Sequence, residues 1–319
     1  MTIRPQDLPE LRAELLTWQQ QHGARYFTSC LRAGAQTSYQ PLLTTAEEGD
    51  QLARAEAARL AEAELFWVSP EMTELTVAAA RSMPAWSLEP EDLPAPSGLI
   101  YFDGLPTVRP EFPTTAMAWG PCPPGMATQA LKNTGLWLSC YVDRDWVEAQ
   151  EGLDLSHMRI PLGPLVYDGE SIAAYGERET GDVAFMSDAG RIVEVDDQTF
   201  INKCSSLVVL KSASLLMRQE LAAANTIEPD RATRKRLRRQ GADEDVRTRV
   251  IELRRPKTTA NPSGESSREY HHRWITRGHW RQQWYPARQL HRPVWIAPHI
   301  KGPEGAPLIG GEKVYALKR

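Results

Sequence analysis

The run YHHRWITRGHWR, residues 270–281, sets histidines, arginines and tryptophans at two-residue spacing. As one extended strand over 270–282 it sends alternate side chains to opposite faces. His271, Arg273, Ile275, Arg277, His279 and Arg281 then share one face, and Tyr270, His272, Trp274, Thr276 and Trp280 the other. Arginine forks match phosphate oxygens and aromatic rings stack on bases, so Arg273, Arg277 and Arg281 are candidate nucleic-acid contacts. In a ribonuclease version of the same surface, His279 is the general acid or base near neutral pH, while Arg277 and Arg281 stabilise charge developing on phosphorus. These three are the candidate catalytic residues. A docking alternative stands beside both: the arginines pair with acidic protein surface, in this chain or on a partner, and the histidines are surface residues.

A second basic set lies upstream in EPDRATRKRLRRQG. Asp230 is placed to cap a short helix at its N-terminus and Gly241 at its C-terminus. Arg231, Arg234, Lys235, Arg236, Arg238 and Arg239 cover nearly every face of that helix, leaving Ala232 and Leu237 as its anchors. Arg234, Lys235, Arg238 and Arg239 therefore join the candidate nucleic-acid contacts. The charge totals point the same way. Residues 1–228 hold 16 Lys and Arg against 32 Asp and Glu, a formal −16, whereas residues 229–319 hold 21 against 9, a formal +12. Such a division implies either that the two parts dock on each other or that the basic part serves a polyanion.

Other chemistries find less support. Five histidines, His271, His272, His279, His291 and His299, fall in the tail, but no cysteine accompanies them and their spacing matches no zinc finger. GPCPPGMATQA, residues 120–130, lacks the Gly-Lys-Ser/Thr ending of a P-loop and reads as a proline-shaped turn. Neither GxGxxG, HExxH nor GxSxG occurs. Asp143 with Asp145, Asp168 with Glu170, and Glu194 with Asp196 and Asp197 are clustered carboxylates, which in so acidic a segment are expected as solvated turn residues or partners for the tail. No cofactor and no metal is expected. Cys30, Cys122, Cys140 and Cys204 lie far apart without a CxxC pair, as free thiols of a reducing compartment do. No apolar stretch reaches signal-peptide or membrane-spanning length, so the expectation is a cytoplasmic chain with no membrane partner.

The elements that must position these residues follow from the pattern upstream. At 41% hydrophobic and 24% charged the chain has ordinary globular usage, and its length suits two domains. Asp7 is placed to cap a packing helix running to about Gln21, with Leu8, Leu11, Leu15 and Trp18 on one face. A long Ala-, Leu-, Glu- and Arg-rich helix is expected from Ala46 to Val68, then a shorter one from Glu71 to Arg81. After the connector SLEPEDLPAPSG come short β-type runs at 98–104, 114–120, 136–142, 165–169, 182–187 and 191–195. A closing core helix is expected over about 204–224, a strand at 246–255, the exposed loop PKTTANPSGESS, and three tail strands in YHHRWITRGHW, RPVWIAPHI and KVYALKR. Trp274, Trp280, Trp284 and Trp295 are expected mainly as the core of this module, one or two of them exposed. Helices first and strands afterwards predict an α+β fold with a mixed or antiparallel β region. The expected division is an acidic domain at 1–228 and a basic helix plus small β-sheet module at 229–319.

The tail carries one resemblance. HHRWITRGHWRQQWYP, HRPVWIAPHIKGPEGAPLI and KVYAL resemble a C-terminal signature that recurs in proteins of bacterial mobile elements and phages, actinobacterial ones in particular. The likeness covers about the last fifty residues and implies no activity and no catalytic residue. It implies a place in mobile-element biology, such as DNA maintenance, a toxin or a host-defence antagonist. Three functions stay open: binding of DNA or RNA, occupation of a protein partner, and a tail-borne ribonuclease. Oligomeric state is open too.

Overall fold

The computed structural model describes residues 3–28, 46–84, 88–105, 114–122, 135–152, 161–162, 165–174, 183–186, 192–195, 206–254, 273–303 and 307. The fold is α+β, and the chain divides into two compact units, Met1–Arg254 and Arg255–Arg319.

The first unit is built on one mixed sheet. Its strands are β1 (Glu64–Val68), β2 (Gly98–Phe102), β3 (Thr114–Pro121), β4 (Gly135–Asp143), β5 (Pro161–Leu162), β6 (Leu165–Ala174), β7 (Val183–Met186), β8 (Ile192–Val195), β9 (Ala222–Ile227) and β10 (Thr248–Leu253). They run in the order β8-β7-β6-β4-β3-β2-β1-β10-β9, with β5 also paired to β6. β1 is parallel to both β2 and β10, and the other pairings are antiparallel. The helices around it are α1 (Leu8–Trp18), α2 (Ala46–Glu62), α3 (Pro70–Ala80), α4 (Arg144–Glu151), α5 (Ser206–Met217) and α6 (Arg231–Gln240).

β2 and β4 are buried at every residue because helices cover both faces of the sheet. Leu65, Leu99, Tyr101, Ala118, Trp137 and Tyr141 form one core with the apolar stripes of α1 and α2. By strand alternation Phe66, Ile100, Phe102 and Trp119 point to the other face, where α3 and α5 pack on each other and against β10 and β3. One charged pair sits inside this unit: Glu56 and Arg59, 0% and 7% exposed, form a salt bridge one turn apart on α2. The Tyr141 hydroxyl donates to Glu56 Oε1 at 3.2 Å, Arg59 Nη1 donates to the Pro121 carbonyl at 3.3 Å, and the guanidinium lies 5.1 Å from the Trp137 ring centre.

Several expectations need correction. The helix expected to Val68 ends at Glu62, and ELFWV is instead β1, a strand in the interior of the sheet between β2 and β10. Its aromatic and branched residues suit a pleated, doubly covered position. The helix expected over 204–224 ends at Met217, and Ala222–Ile227 turn back as β9 against β10. Asp7 makes no side-chain cap on α1; a 3-10 turn, Pro5–Asp7, precedes the helix, and the Asp7 carboxylate pairs elsewhere. The compact units divide at 254/255 rather than 228/229, since α6 packs on α1 and β10 pairs with β1. Asp143 caps α4 by accepting from the Trp146 N–H at 2.8 Å.

In the second unit the strand expected over 270–282 is two strands. β11 (Trp274–Thr276) pairs with β14 (His299–Lys301), and β12 (His279–Tyr285) pairs with β13 (Leu290–Ile296), all antiparallel. The break falls at Arg277 and Gly278, where the backbone passes so close to Trp295 that a Cβ on Gly278 would lie 2.4 Å from its Cζ2. Tyr270, His271, His272, the loop at 256–267 and KVYALKR lie outside the described residues, as do Cys30, Cys204, Asp196, Asp197 and most of the 120–130 turn. Among the described residues no helix is long and apolar enough to cross a membrane, and no group of three or more His, Cys, Asp or Glu is arranged to hold a metal ion.

Candidate nucleic-acid interface

The β12–β13 hairpin sets the geometry of the second unit. Directly opposed residues share a face, so His279, Arg281, Gln283 and Tyr285 lie with Ile296, Val294, Arg292 and Leu290, and Trp280, Gln282 and Trp284 with Trp295, Pro293 and His291. Trp295 is 6% exposed and meets Trp280 edge to face at 5.3 Å, which makes these two the packed end of an aromatic row. Trp284 and His291, 4.8 Å apart between ring centres, form its outer end, where Trp284 is 39% exposed. Tyr285, also 39% exposed, leads into the 3-10 turn Pro286–Arg288, and Gln289 closes that turn at a left-handed φ of 51°.

The charge on this surface is of one sign. Residues 270–303 contain five arginines, one lysine and five histidines, and no Asp or Glu. Arg277, Arg281, Arg288 and Lys301 are exposed and form no ion pair with a described carboxylate. Arg281 is held in place by a neighbour: its Nη2 donates to Gln283 Oε1 at 2.7 Å, and Gln283 Nε2 donates to the Trp284 carbonyl at 3.1 Å. The guanidinium is thereby fixed along the strand with further donors to offer a ligand.

The candidate catalytic residues are only partly brought together. His279 and Arg281 share a face of β12, whereas Arg277 sits in the break before it. His279 Nδ1 lies 3.1 Å from the Arg277 carbonyl, a contact in which the Nδ1–H tautomer donates to that oxygen. No second proton-transfer group of the described residues meets the ring. Arg273 opens β11 by donating its backbone N–H to the Pro307 carbonyl at 2.8 Å.

The basic helix α6 belongs to the first unit and is largely committed there. Asp230 caps it by accepting from the Thr233 N–H at 2.8 Å, a bond that holds the Asp230 carboxyl below its ordinary range, and Gly241 ends it at φ 69°. Its anchors are Leu237 and Thr233, 1% and 0% exposed, while Ala232, the second expected anchor, is exposed. Thr233 Oγ1 donates to Asp7 Oδ1 at 3.0 Å. Arg236 Nε donates to both oxygens of Glu10 at 2.7 Å, and its Nη2 lies 3.4 Å from Asp7. Of the four candidate contacts, Arg234 pairs with Glu228 and Arg238 with Glu244, each at 2.7 Å. Lys235 and Arg239 remain exposed, with no ion pair to a described residue.

Sequence reasoning missed Arg288 and the pairing of Trp284 with His291. The signal was present in HWRQQWY-PARQ-LHRPVWI, two alternating runs around a proline turn. Comparison with known proteins identifies no matching family model, no similar curated protein and no similar solved structure.

Proposed function

We propose that this chain binds nucleic acid through its C-terminal unit, with the β12–β13 hairpin as the contact surface, in the service of a bacterial mobile element or phage. The observation that carries this is the acid-free run 270–303, which holds exposed arginines beside exposed aromatic rings. Cations facing solvent in a run without carboxylates form a surface for a polyanion, and the exposed rings add a second kind of contact. Arg277, Arg281 and Arg288 are the phosphate contacts. Helix α6 serves chiefly as a docking element on α1, with Lys235 and Arg239 as secondary cations. The free thiols of Cys122 and Cys140 support a cytoplasmic location.

The test is fluorescence anisotropy of the full chain with labelled DNA and RNA across a salt series. Binding is expected to weaken steeply with salt, and the Arg277→Ala/Arg281→Ala/Arg288→Ala variant is expected to bind less tightly with a salt slope smaller by about two to three, at unchanged melting temperature. Absence of binding to either polymer at low ionic strength would overturn the proposal. Wild-type protein is expected to leave RNA intact; cleavage that vanishes in a folded His279→Ala variant would install the ribonuclease reading in its place.

A further inference from the structure

We infer that the hairpin takes single-stranded nucleic acid, stacking a base at Trp284 and His291 beside the turn while Arg288 in the turn holds the flanking phosphate; the inference rests on the nucleic-acid reading above. Contact with a duplex would need only cations, because paired bases present edges and backbone rather than open ring faces. This hairpin offers more than cations. Its aromatic row is buried at Trp295 and half-buried at Trp280, where the two rings pack on each other, and is left open four residues further out at Trp284.

An indole 39% exposed at a strand end contributes little to folding, yet it stands against an imidazole in a tilted pair that extends the stacking surface. Tyr285 follows on the opposite face of the same strand end, equally exposed. The cations divide between the turn and the opposite face. Arg281 is oriented along β12 by Gln283 on the face it shares with Tyr285. Arg288 lies in the turn beyond Tyr285. Rings flanked by backbone-tracking cations are the arrangement by which sequence-tolerant proteins hold unpaired strands.

The experiment compares the full chain's affinity for labelled oligothymidylate, oligouridylate and a mixed-sequence duplex, using the wild type, Trp284→Ala, Trp284→Phe and Arg288→Ala. Both single strands are expected to bind more tightly than the duplex. Trp284→Ala should weaken single-strand binding about 5- to 150-fold with the salt slope unchanged, the loss of one stacked base, and Trp284→Phe should restore most of it. Arg288→Ala should instead lower the salt slope by about one. Thymidylate and uridylate binding alike marks recognition of the strand; preference for uridylate marks additional contact with the ribose 2′-hydroxyl, with stacking intact. Equal affinity for duplex and single strands, with Trp284→Ala unchanged, would overturn this inference and leave nucleic-acid binding standing. Failure of every probe to bind would remove both.

Discussion

Glu56 and Arg59 stand three residues apart on α2, a spacing that in sequence looks like any surface ion pair. Only the helices and sheet closing over them turn the pair into a buried one. Removing a single partner strands a charge in the core, so Arg59→Met is expected to cost about 3–5 kcal/mol. The double change Glu56→Leu/Arg59→Met should recover most of that loss, because no charge is then left unpaired. Urea midpoints of the wild type, the two single variants and the double variant check the expectation; a double variant as unstable as Arg59→Met would locate the loss in packing against Trp137 rather than in charge. At the candidate interface the legibility runs the other way. Arg277, Arg281 and His279 were apparent from residue type alone, because an arginine-rich, acid-free run reads the same in any conformation.

At the scale of elements, α6 was foreseen with its two caps, since Asp230 and Gly241 act within one turn of their own positions. Its acceptors were not, because those of Arg236, Glu10 on α1 and Asp7 in the turn before it, lie more than two hundred residues away in sequence. The strand ELFWV was hidden for a related reason: local propensity continues α2, and pairing with β2 and β10 overrides it. If α6 docks as described, Arg236→Ala should lower stability by about 1 kcal/mol, the pair being partly exposed, and added salt should shrink the difference. Lys235→Ala and Arg239→Ala should leave the melting temperature within error. Thermal melts at low and high salt decide this, and equal effects at all three positions would contradict the docking geometry.

For the whole molecule, the division at 254/255 leaves 25 Lys and Arg against 37 Asp and Glu in the first unit, net −12, and 12 against 4 in the second, net +8. The charge asymmetry therefore survives the shift of boundary, though α6 moves to the acidic side. β10 occupies an interior place in the sheet, with Val250 and Ile251 buried between β1 and β9. A chain ending at 254 is accordingly expected to fold cooperatively and to bind nucleic acid far more weakly than the full chain, through Lys235 and Arg239 alone. One ending at 228, the boundary that charge alone suggests, removes α6 and β10, strips β1 of a parallel partner and should be recovered insoluble. Circular dichroism with thermal melting and sedimentation distinguishes the two; a folded 1–228 fragment would show the sheet closing without β10.

Legible from residue type and near neighbours were the α+β class, the caps of α6, strands β2, β3 and β4, and the net basic charge of the tail. These follow from propensity, alternation and counting, each of which acts over a few residues. The tertiary structure alone decided that β1 is a strand, that the basic helix belongs to the acidic unit, and that the tail's cationic strand breaks at Gly278 into two paired ladders. The physical reason is common to all three: each rests on a partner distant in sequence, whether β10 for β1, Glu10 for Arg236 or Trp295 for Gly278, and the free energy of those contacts outweighs the local preference that the sequence displays.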